Sequence, residues 1–349
     1  MRADQTPIEG ATGSPGAPRH GLLLGILAAG AFTTALNVTL LSPLLVDIAG
    51  EFGVSEAAAG QLATLTAGSS GVMAVLVAPW MDRYSRGFWL RLECSLLFLG
   101  TLLSALVPGF GWMFLGRAIA GIGGAVIGAS CLAACADLYA DPAARNRALG
   151  LISSAFTLGA VFGLPLITLV ADLSDWRWAI ALPAPLALLV LAGSARLPKV
   201  GVTLRGSLWQ AWVGGYRRVL GSGETVWLLV AEIGFMIAWF GWLIYFGAFA
   251  ETVFAVGATT LAVLFLVGGA AELAGNNLAP ALLRSRSPRF VGYLAVAVVA
   301  ANLLLVGVAY DQRWTLFPFV AIGSAMGALL FICVNVALLD SLPSDRGAV

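Results

Sequence analysis

The chain has 349 residues, of which 60% are hydrophobic and 11% are charged, and its mean hydropathy is +0.93. This balance excludes an ordinary soluble domain and predicts helices embedded in lipid. The net charge of +1 gives no general attraction to nucleic acid, so we expect no nucleic-acid partner.

Ten apolar stretches are long enough to cross a bilayer, which takes about 20 residues per helix. In chain order they lie at 21–44, 56–79, 88–107, 111–135, 147–170, 177–196, 225–250, 257–282, 289–309 and 314–338. Residues 1–19 are predicted to be a disordered N-terminal segment, and the first apolar stretch is too long for a cleaved signal peptide. The sequence therefore predicts an all-α polytopic membrane protein.

Basic residues concentrate in alternate loops. With a cytoplasmic N-terminus, sixteen of the nineteen basic residues lie inside, only Arg177 and Arg313 lie outside, and Arg117 falls within a span. The outer loops are acidic instead, with Asp47, Glu51, Glu56, Asp172, Asp175, Glu251 and Asp311. The positive-inside rule then predicts a cytoplasmic N-terminus in the cell membrane. The single Lys among these basic residues points to a bacterial source.

The longest loop, 198–224, follows the sixth span and is the natural boundary between two units. We predict a six-helix bundle over 20–197 and a second bundle over 225–349. Apolar residues recur at helical spacing inside the loop, next to several Arg residues, at Leu204, Leu208, Trp212 and Tyr216. This pattern predicts a cytoplasmic linker with a helix on the membrane surface.

Residues for enzyme chemistry are sparse. All four cysteines fall within predicted spans, and no His, Asp or Glu stands near them at metal-ligand spacing. No catalytic cluster of His, Ser and acid is evident at one membrane face. We therefore expect neither a metal site nor a cofactor, and a protein that is not an enzyme.

The loop after the second span carries a recognisable motif. Asp82, Arg83 and Arg86 match the cytoplasmic signature of the major facilitator superfamily, which this loop resembles, while Ala78 and Ser85 stand where glycine is usual. The resemblance implies that the three matching residues form a cytoplasmic gate. It also implies that, in relatives, the aspartate at the position of Asp82 braces against the N-terminal end of an eleventh helix.

The fourth span resembles a second signature of the superfamily, an intramembrane arginine followed four residues later by glycine. Here these residues are Arg117 and Gly121. An arginine inside a span costs about 2.5–3.5 kcal/mol on insertion scales, so Arg117 should face a partner or a wet cavity. The alternative is that its side chain extends toward the outer surface.

The fifth span resembles the antiporter signature through Gly159, Gly163 and Pro165, with Leu164 intervening between the second glycine and the proline. Together with the stretch around Asp175, these motifs resemble the twelve-helix drug:proton antiporter branch and its sugar-efflux relatives. The resemblance implies a major facilitator fold with two six-helix bundles. Because this chain ends after the tenth span, we expect the C-terminal bundle to be incomplete, with four helices.

Two acids are predicted within spans of the second half, Glu232 and Glu272, both in the cytoplasmic half of the membrane. A carboxylate there can load and release a proton as access alternates. The alternative is a structural hydrogen bond to Asn276, Asn277 or another helix. Glu93, one turn into the third span, is instead expected to pair with Arg86 or Arg91 near the inner surface.

Aromatic residues share one face of the seventh span with Glu232, at Phe235, Trp239, Trp242, Phe246 and Phe249. The resemblance implies that this helix lines a central cavity, and Asn37 of the first span would add a hydrogen-bonding group. The alternative is plain packing or lipid contact, which explains the aromatics readily but explains Glu232 poorly.

The hypothesis from the sequence is a monomeric, proton-coupled exporter of small lipophilic or cationic solutes that works by alternating access. Glu232 or Glu272 would carry the proton and Arg117 would tune the pathway. The alternatives are a sugar or metabolite permease of the same superfamily, or a membrane sensor that transports nothing.

Overall fold

The computed structural model describes residues 17–77, 80–81, 84–106, 108–139, 141–197, 213–214, 217, 220–308 and 313–341. Within these residues the secondary structure is helical, with no strand. The sequence-predicted linker helix around Leu204, Leu208, Trp212 and Tyr216 lies outside the described residues, as do Asp82 and Arg83.

In the first half of the chain, the described residues form nine α-helices. They are α1 (Ala17–Thr39), α2 (Leu45–Phe52), α3 (Glu56–Val77), α4 (Arg86–Leu106), α5 (Phe110–Gly124), α6 (Ile127–Leu138), α7 (Pro142–Leu173), α8 (Trp176–Ala181) and α9 (Pro183–Ser194). The second half adds α10 (Gly223–Phe254), α11 (Ala258–Ser285), α12 (Pro288–Val308) and α13 (Leu316–Ser341). Short 3₁₀ turns at Ser42–Leu44 and Arg313–Thr315 precede α2 and α13.

Each of the ten apolar stretches predicted to span a membrane is mainly helical over its described residues. By length and composition, nine segments of the described residues can cross a membrane, and Pro288–Leu304 is a shorter apolar helix at the position of the remaining stretch. The predicted all-α membrane architecture is therefore confirmed. We call the side with Arg86, Arg145 and Arg147 the basic end, and the side with Glu51 and Asp175 the acidic end.

The fourth span is not one continuous helix. α5 ends at Gly124, and α6 begins at Ile127 after Val126, whose φ of −133° and ψ of 15° are not helical. The run of glycines up to Gly124 explains the break, because glycine is about 1 kcal/mol less favourable than alanine in a helix interior. The break divides the span into two helical segments, α5 and α6.

Glycines let α7 approach α1 closely, as the antiporter-type motif suggests. A Cβ atom on Gly159 would lie 2.8 Å from the carbonyl oxygen of Phe32, and one on Gly163 would lie 2.8 Å from a methyl carbon of Leu36. Gly121 similarly faces the backbone of Thr66 on α3. Small residues thus set the distances between helices in the first half of the chain.

The acidic end is closed where α10 meets the 3₁₀ turn before α2. The Ser42 hydroxyl donates a hydrogen bond to the carbonyl of Leu243, and Gly247 packs against the Ser42 backbone. Tyr245 lies against Gly60 of α3. These contacts join the two halves of the chain on this side.

An ion pair fastens α2 to α8 at the acidic end. The Arg177 guanidinium donates to both carboxylate oxygens of Glu51, at 2.7 Å for the Nη1 to Oε2 contact, and the Trp176 indole Nε1 donates to Oε2 at 2.6 Å. The hydrogen bond from Arg177 is the main reason why the pKa of Glu51 lies below its ordinary value of 4.5. Beside it, partial burial and the carboxylates of Asp175 and Asp172 raise the pKa of Asp47.

The Glu51 pair predicts a specific acid sensitivity. A carboxyl group whose pKa is lowered by folding adds stability above its ordinary pKa, and this contribution is lost as the pH falls through the lowered value. At pH 7 we expect the Glu51→Gln variant to melt at a lower temperature than the unaltered protein in detergent. The two melting temperatures should converge as the pH is lowered below 4.5. A difference that does not change with pH would contradict this account.

The close approach of α1 and α7 predicts a packing penalty. Gly159→Leu forces a large side chain against the α1 backbone and should lower stability by about 1–3 kcal/mol. Gly150→Leu is the matched control on the same helix, since no atom of the described residues lies within 4 Å of the Cβ position there. Melting of both variants in detergent, followed by size-exclusion chromatography, tests the prediction. Equal stability of the two variants would argue against the contact.

Candidate functional site

A cavity of about 540 Å³ lies between the two halves of the chain. Helices α1, α6 and α7 form its walls from the first half, and α10, α11 and α13 form them from the second half. Its volume falls within the range of about 300–1,000 Å³ that is usual for small-molecule sites. The cavity is therefore large enough for a small organic solute.

One wall of the cavity is aromatic and comes from α10. Phe235, Trp239, Trp242 and Phe246 all line it, as the helical spacing of these residues predicts. The rings contact one another in pairs, with centroids 6.0 Å apart for Phe235 and Trp239 and 4.5 Å apart for Trp242 and Phe246. Their faces offer flat apolar surface that also attracts cations.

The cavity carries one ionisable side chain among its described lining residues, Glu272 of α11. Asn276 follows one turn later on the same helix and also lines the cavity. On α7, Ser153 and Thr157 add hydroxyl groups. A carboxyl group thus shares the space with aromatic rings and a few neutral polar groups, an arrangement that can hold a cation or a proton.

Glu232 lies next to the cavity and is not among the residues that line it. The Asn335 amide of α13 approaches its Oε1 atom at 3.5 Å, while Oε2 is buried and has no hydrogen-bond partner in the described part of the chain. Asn277 instead donates to the carbonyl of Leu273 on its own helix, at 2.8 Å. The two acids therefore have different surroundings, and only Glu272 faces the cavity.

Depth along the helices also separates the two acids. Glu232 lies nine positions after the start of α10 at Gly223, and Glu272 lies thirteen positions before the end of α11 at Ser285. At 1.5 Å per residue these separations are about 14 Å and about 20 Å from the basic end. Glu272 is the closer of the two to the middle of the bundle.

Arg117 is fully buried inside the first half, at 1% exposure. Its Nε donates to the Thr66 hydroxyl at 3.1 Å, and its Nη2 donates to the Asn37 amide oxygen at 3.4 Å. Nη1 has no hydrogen-bond partner within the described residues. The side chain is held between α1, α3 and α5, so the alternative that it extends to the outer surface does not describe it.

The structure does not bring all of the predicted site residues together. Asn37 is 5% exposed and does not line the cavity, because its amide faces Arg117. At the basic end, Arg86 donates to the Met81 carbonyl at 3.0 Å and lies 3.4 Å from the Asp137 carboxylate at the end of α6. Arg117 and Arg86 thus act away from the cavity itself.

Sequence reasoning missed the part of the cavity wall that α7 supplies. Ile152, Ser153, Phe156, Thr157 and Ala160 lie on one face of this helix. Their spacing of three and four residues was the available signal. The motif of Gly159, Gly163 and Pro165 in the same helix predicted helix packing and not a cavity wall.

The comparisons with known proteins agree with this architecture. Residues 27–349 match the model of the Major Facilitator Superfamily. The chain therefore belongs to that family.

Two similar proteins have names that refer to drug resistance. The puromycin resistance protein pur8 of Streptomyces alboniger is 28% identical over 193 residues, which are 55% of this chain and 38% of that protein. The multidrug resistance protein Stp of Mycobacterium tuberculosis is 28% identical over 174 residues, which are 48% of this chain and 32% of that protein. The matches thus span well under half the length of these relatives.

Solved structures share the fold at low sequence identity. The nucleoside transporter NupG, in the form of a point mutant, has a TM-score of 0.76 and 14% identity, with 94% of this chain and 85% of that chain covered. A bacterial homolog of the human lysosomal transporter Spinster has a TM-score of 0.67 and 20% identity, with 95% and 81% covered. The structural similarity therefore extends over almost the whole chain.

The Arg117 contacts predict a selective effect of removing one hydroxyl. Thr66→Val leaves the Arg117 Nε buried without an acceptor, which should cost about 1–3 kcal/mol. Thr252→Val is the matched control, because each threonine also donates to the carbonyl four residues earlier, at 2.7 Å for Thr66 and 2.6 Å for Thr252. Melting temperatures in detergent should fall clearly for Thr66→Val and little for Thr252→Val. Equal losses would show that Arg117 does not depend on Thr66.

Proposed function

We propose that the protein is a proton-coupled exporter of small lipophilic or cationic solutes and works by alternating access. The observation that carries the proposal is the single carboxyl group among the described lining residues, Glu272, in a cavity whose opposite wall consists of aromatic side chains. Such a wall binds flat apolar groups with little directional preference, while the carboxyl group attracts positive charge. The names of the relatives pur8 and Stp support a drug-like solute.

The closed acidic end supports access from the basic end in this conformation. Ser42, Gly60 and Tyr245 block the acidic end, whereas Ser153 and Asn276 carry the cavity toward the basic ends of α7 and α11. With the basic end in the cytoplasm, as the charge distribution of the loops predicts, the cavity would receive solutes from inside the cell. We place the protein, as a monomer, in a bacterial cell membrane.

Glu272 of α11 would carry the proton, and Glu232 of α10 would be a second proton-binding site. Protonation of Glu272 neutralises the only charge that the described lining residues present to the solute, so a proton and a cation compete for the same carboxyl group. Competition of this kind links export of the solute to entry of the proton. Arg117 would tune the pathway from within the first half.

The gate at the basic end would depend on Asp82, Arg83 and Arg86. The contacts of Arg86 with Met81 and Asp137 support this assignment, because they join the loop after α3 to the end of α6. When the cavity opens toward the acidic end, these residues would hold the basic end closed. The division into a bundle over 20–197 and a second over 225–349 supplies the two moving units.

Transport in proteoliposomes tests the proposal with ethidium and tetraphenylphosphonium as probes, in the full-length protein. We expect an imposed pH gradient to drive transport in the unaltered protein and not in the Glu232→Gln/Glu272→Gln double variant. Glu272→Gln alone should cause the larger loss of the two single variants, because only Glu272 faces the cavity. Glu224→Gln is the control, since this exposed acid pairs with Arg289 at the basic end, 2.7 Å away.

Three results would contradict the proposal. Retained gradient-driven transport in the double variant would eliminate both acids as proton carriers. Xylose counterflow without transport of either cation would replace the exporter by a sugar or metabolite permease. No flux of any solute would favour a membrane sensor.

A further inference from the structure

A third acid within the membrane-spanning helices, Glu93 of α4, is buried and lies outside the cavity. It is 3% exposed, and neither carboxylate oxygen has a hydrogen-bond partner among the described residues. It lies seven positions after Arg86, which is about 10 Å along the helix from the basic end. The predicted ion pair with Arg86 or Arg91 is wrong, because no basic side chain within the described residues forms a salt bridge with Glu93.

The groups that face Glu93 carry no compensating charge. Ser130 of α6 is adjacent, and its fully buried hydroxyl also has no partner in the described structure. The nearby titratable groups are the thiols of Cys94 and Cys131. On the α5 side, the Cβ position of Gly123 lies 2.7 Å from the backbone carbonyl oxygen of Glu93. From α9, apolar side chains such as Val190 complete the cluster. A carboxylate in this setting is strongly disfavoured, whereas a protonated carboxyl group is tolerated.

One helix separates Glu93 from the cavity. Gly128 and Leu132 of α6 line the cavity, and Ser130 lies two residues from each, about 200° around the helix. The Glu93 side of α6 and its cavity side are thus opposite faces of the same short segment. A shift of α6 that changes one face must change the other.

The start of α6 offers hydrogen-bond donors. Because Val126 is not helical, the N–H groups of residues 127–129 in the first turn of α6 are outside the hydrogen-bond ladder of α5. The Ser130 hydroxyl, which follows this turn, is adjacent to Glu93, and on α4 itself the buried indole Nε1 of Trp89, four residues before Glu93, also has no partner in the described structure. Such donors stabilise a carboxylate far more than a neutral acid.

We propose that Glu93 is a proton-binding site and that its protonation sets the position of α6 against the cavity. With the proton bound, the neutral acid remains in the dry position seen here. When the proton leaves, the carboxylate accepts hydrogen bonds from Ser130 and the first turn of α6, which draws α6 toward α4 and moves Gly128 and Leu132. Only the consequence for solute transport rests on the function proposed above, since proton binding itself needs no solute.

Labelling with dicyclohexylcarbodiimide tests the proton-binding step. The reagent takes the proton from a neutral carboxyl group, and the carboxylate oxygen then bonds to its central carbon, so the adduct retains every atom of both partners. In the Glu232→Gln/Glu272→Gln background we expect mass spectrometry to find the adduct on Glu93, with a yield that falls as the pH rises. Absence of a Glu93 adduct over the whole pH range would overturn the proposal.

Alkylation of a cysteine at the cavity wall tests the movement of α6. Leu132→Cys places a thiol on α6, and Phe156→Cys places one on α7 as the matched control. For each introduced cysteine, the rate of alkylation by N-ethylmaleimide is measured in a chain with Glu93 and in a chain with Glu93→Gln at the same pH. The ratio of the two rates is then compared across pH, because the effect of thiol ionisation is the same in both chains and cancels in the ratio. We expect the ratio at position 132 to be near one at low pH and to change several-fold at high pH, with no change at position 156.

Two outcomes of the alkylation experiment would overturn the proposal. One is a ratio that stays near one at position 132 throughout, and the other is an equal change at both positions. A chain with Glu93→Asp should show the same pH dependence of alkylation as the chain with Glu93. The carbodiimide experiment needs no substitution at Glu93. Neither measurement uses a solute, so failure here and failure of the proposed export are separate results.

Discussion

A charge inside a bundle that spans a membrane must be held by polar neighbours, and the packing of the first half depends on this requirement at Arg117. Its guanidinium joins α1 through Asn37 and α3 through Thr66, while the side chain itself belongs to α5. Both partners are neutral, so the positive charge of Arg117 is solvated and not cancelled. Its contacts fix the relative positions of three helices, and the small residue Gly121 lets α5 approach the Thr66 backbone closely enough for them to form.

Three acids within the membrane-spanning helices contrast with this arginine. Glu93 lies behind α6, Glu272 faces the cavity, and Glu232 lies against Asn335. No described basic side chain forms a salt bridge with any of the three. Acids without counter-charges respond to protons more readily than acids in ion pairs do. The more exposed pairs, such as Glu51 with Arg177, thus lie apart from these three acids, which have no basic partner among the described residues.

Hydropathy predicted the helices well because each span must satisfy its own backbone hydrogen bonds in lipid. The aromatic face of α10 was also predictable, since residues on one helix keep their spacing whatever the helix packs against. Which face of α1 turns to the cavity was not predictable. Asn37 was therefore predicted to line the cavity, whereas its amide faces Arg117. Contacts between distant segments, such as Ser130 with Glu93, depend on helix positions that periodicity does not contain.

The glycine contacts between α1 and α7 have a mechanical consequence. A Cβ atom on Gly159 would lie 2.8 Å from the Phe32 carbonyl oxygen, so the two helices can stay this close only while a glycine faces α1. The same kind of contact joins the two halves, because the Val161 Cα atom of α7 lies 2.9 Å from the Cβ position of Gly269 on α11. A side chain larger than hydrogen at position 269 would therefore hold the halves further apart on this side of the cavity.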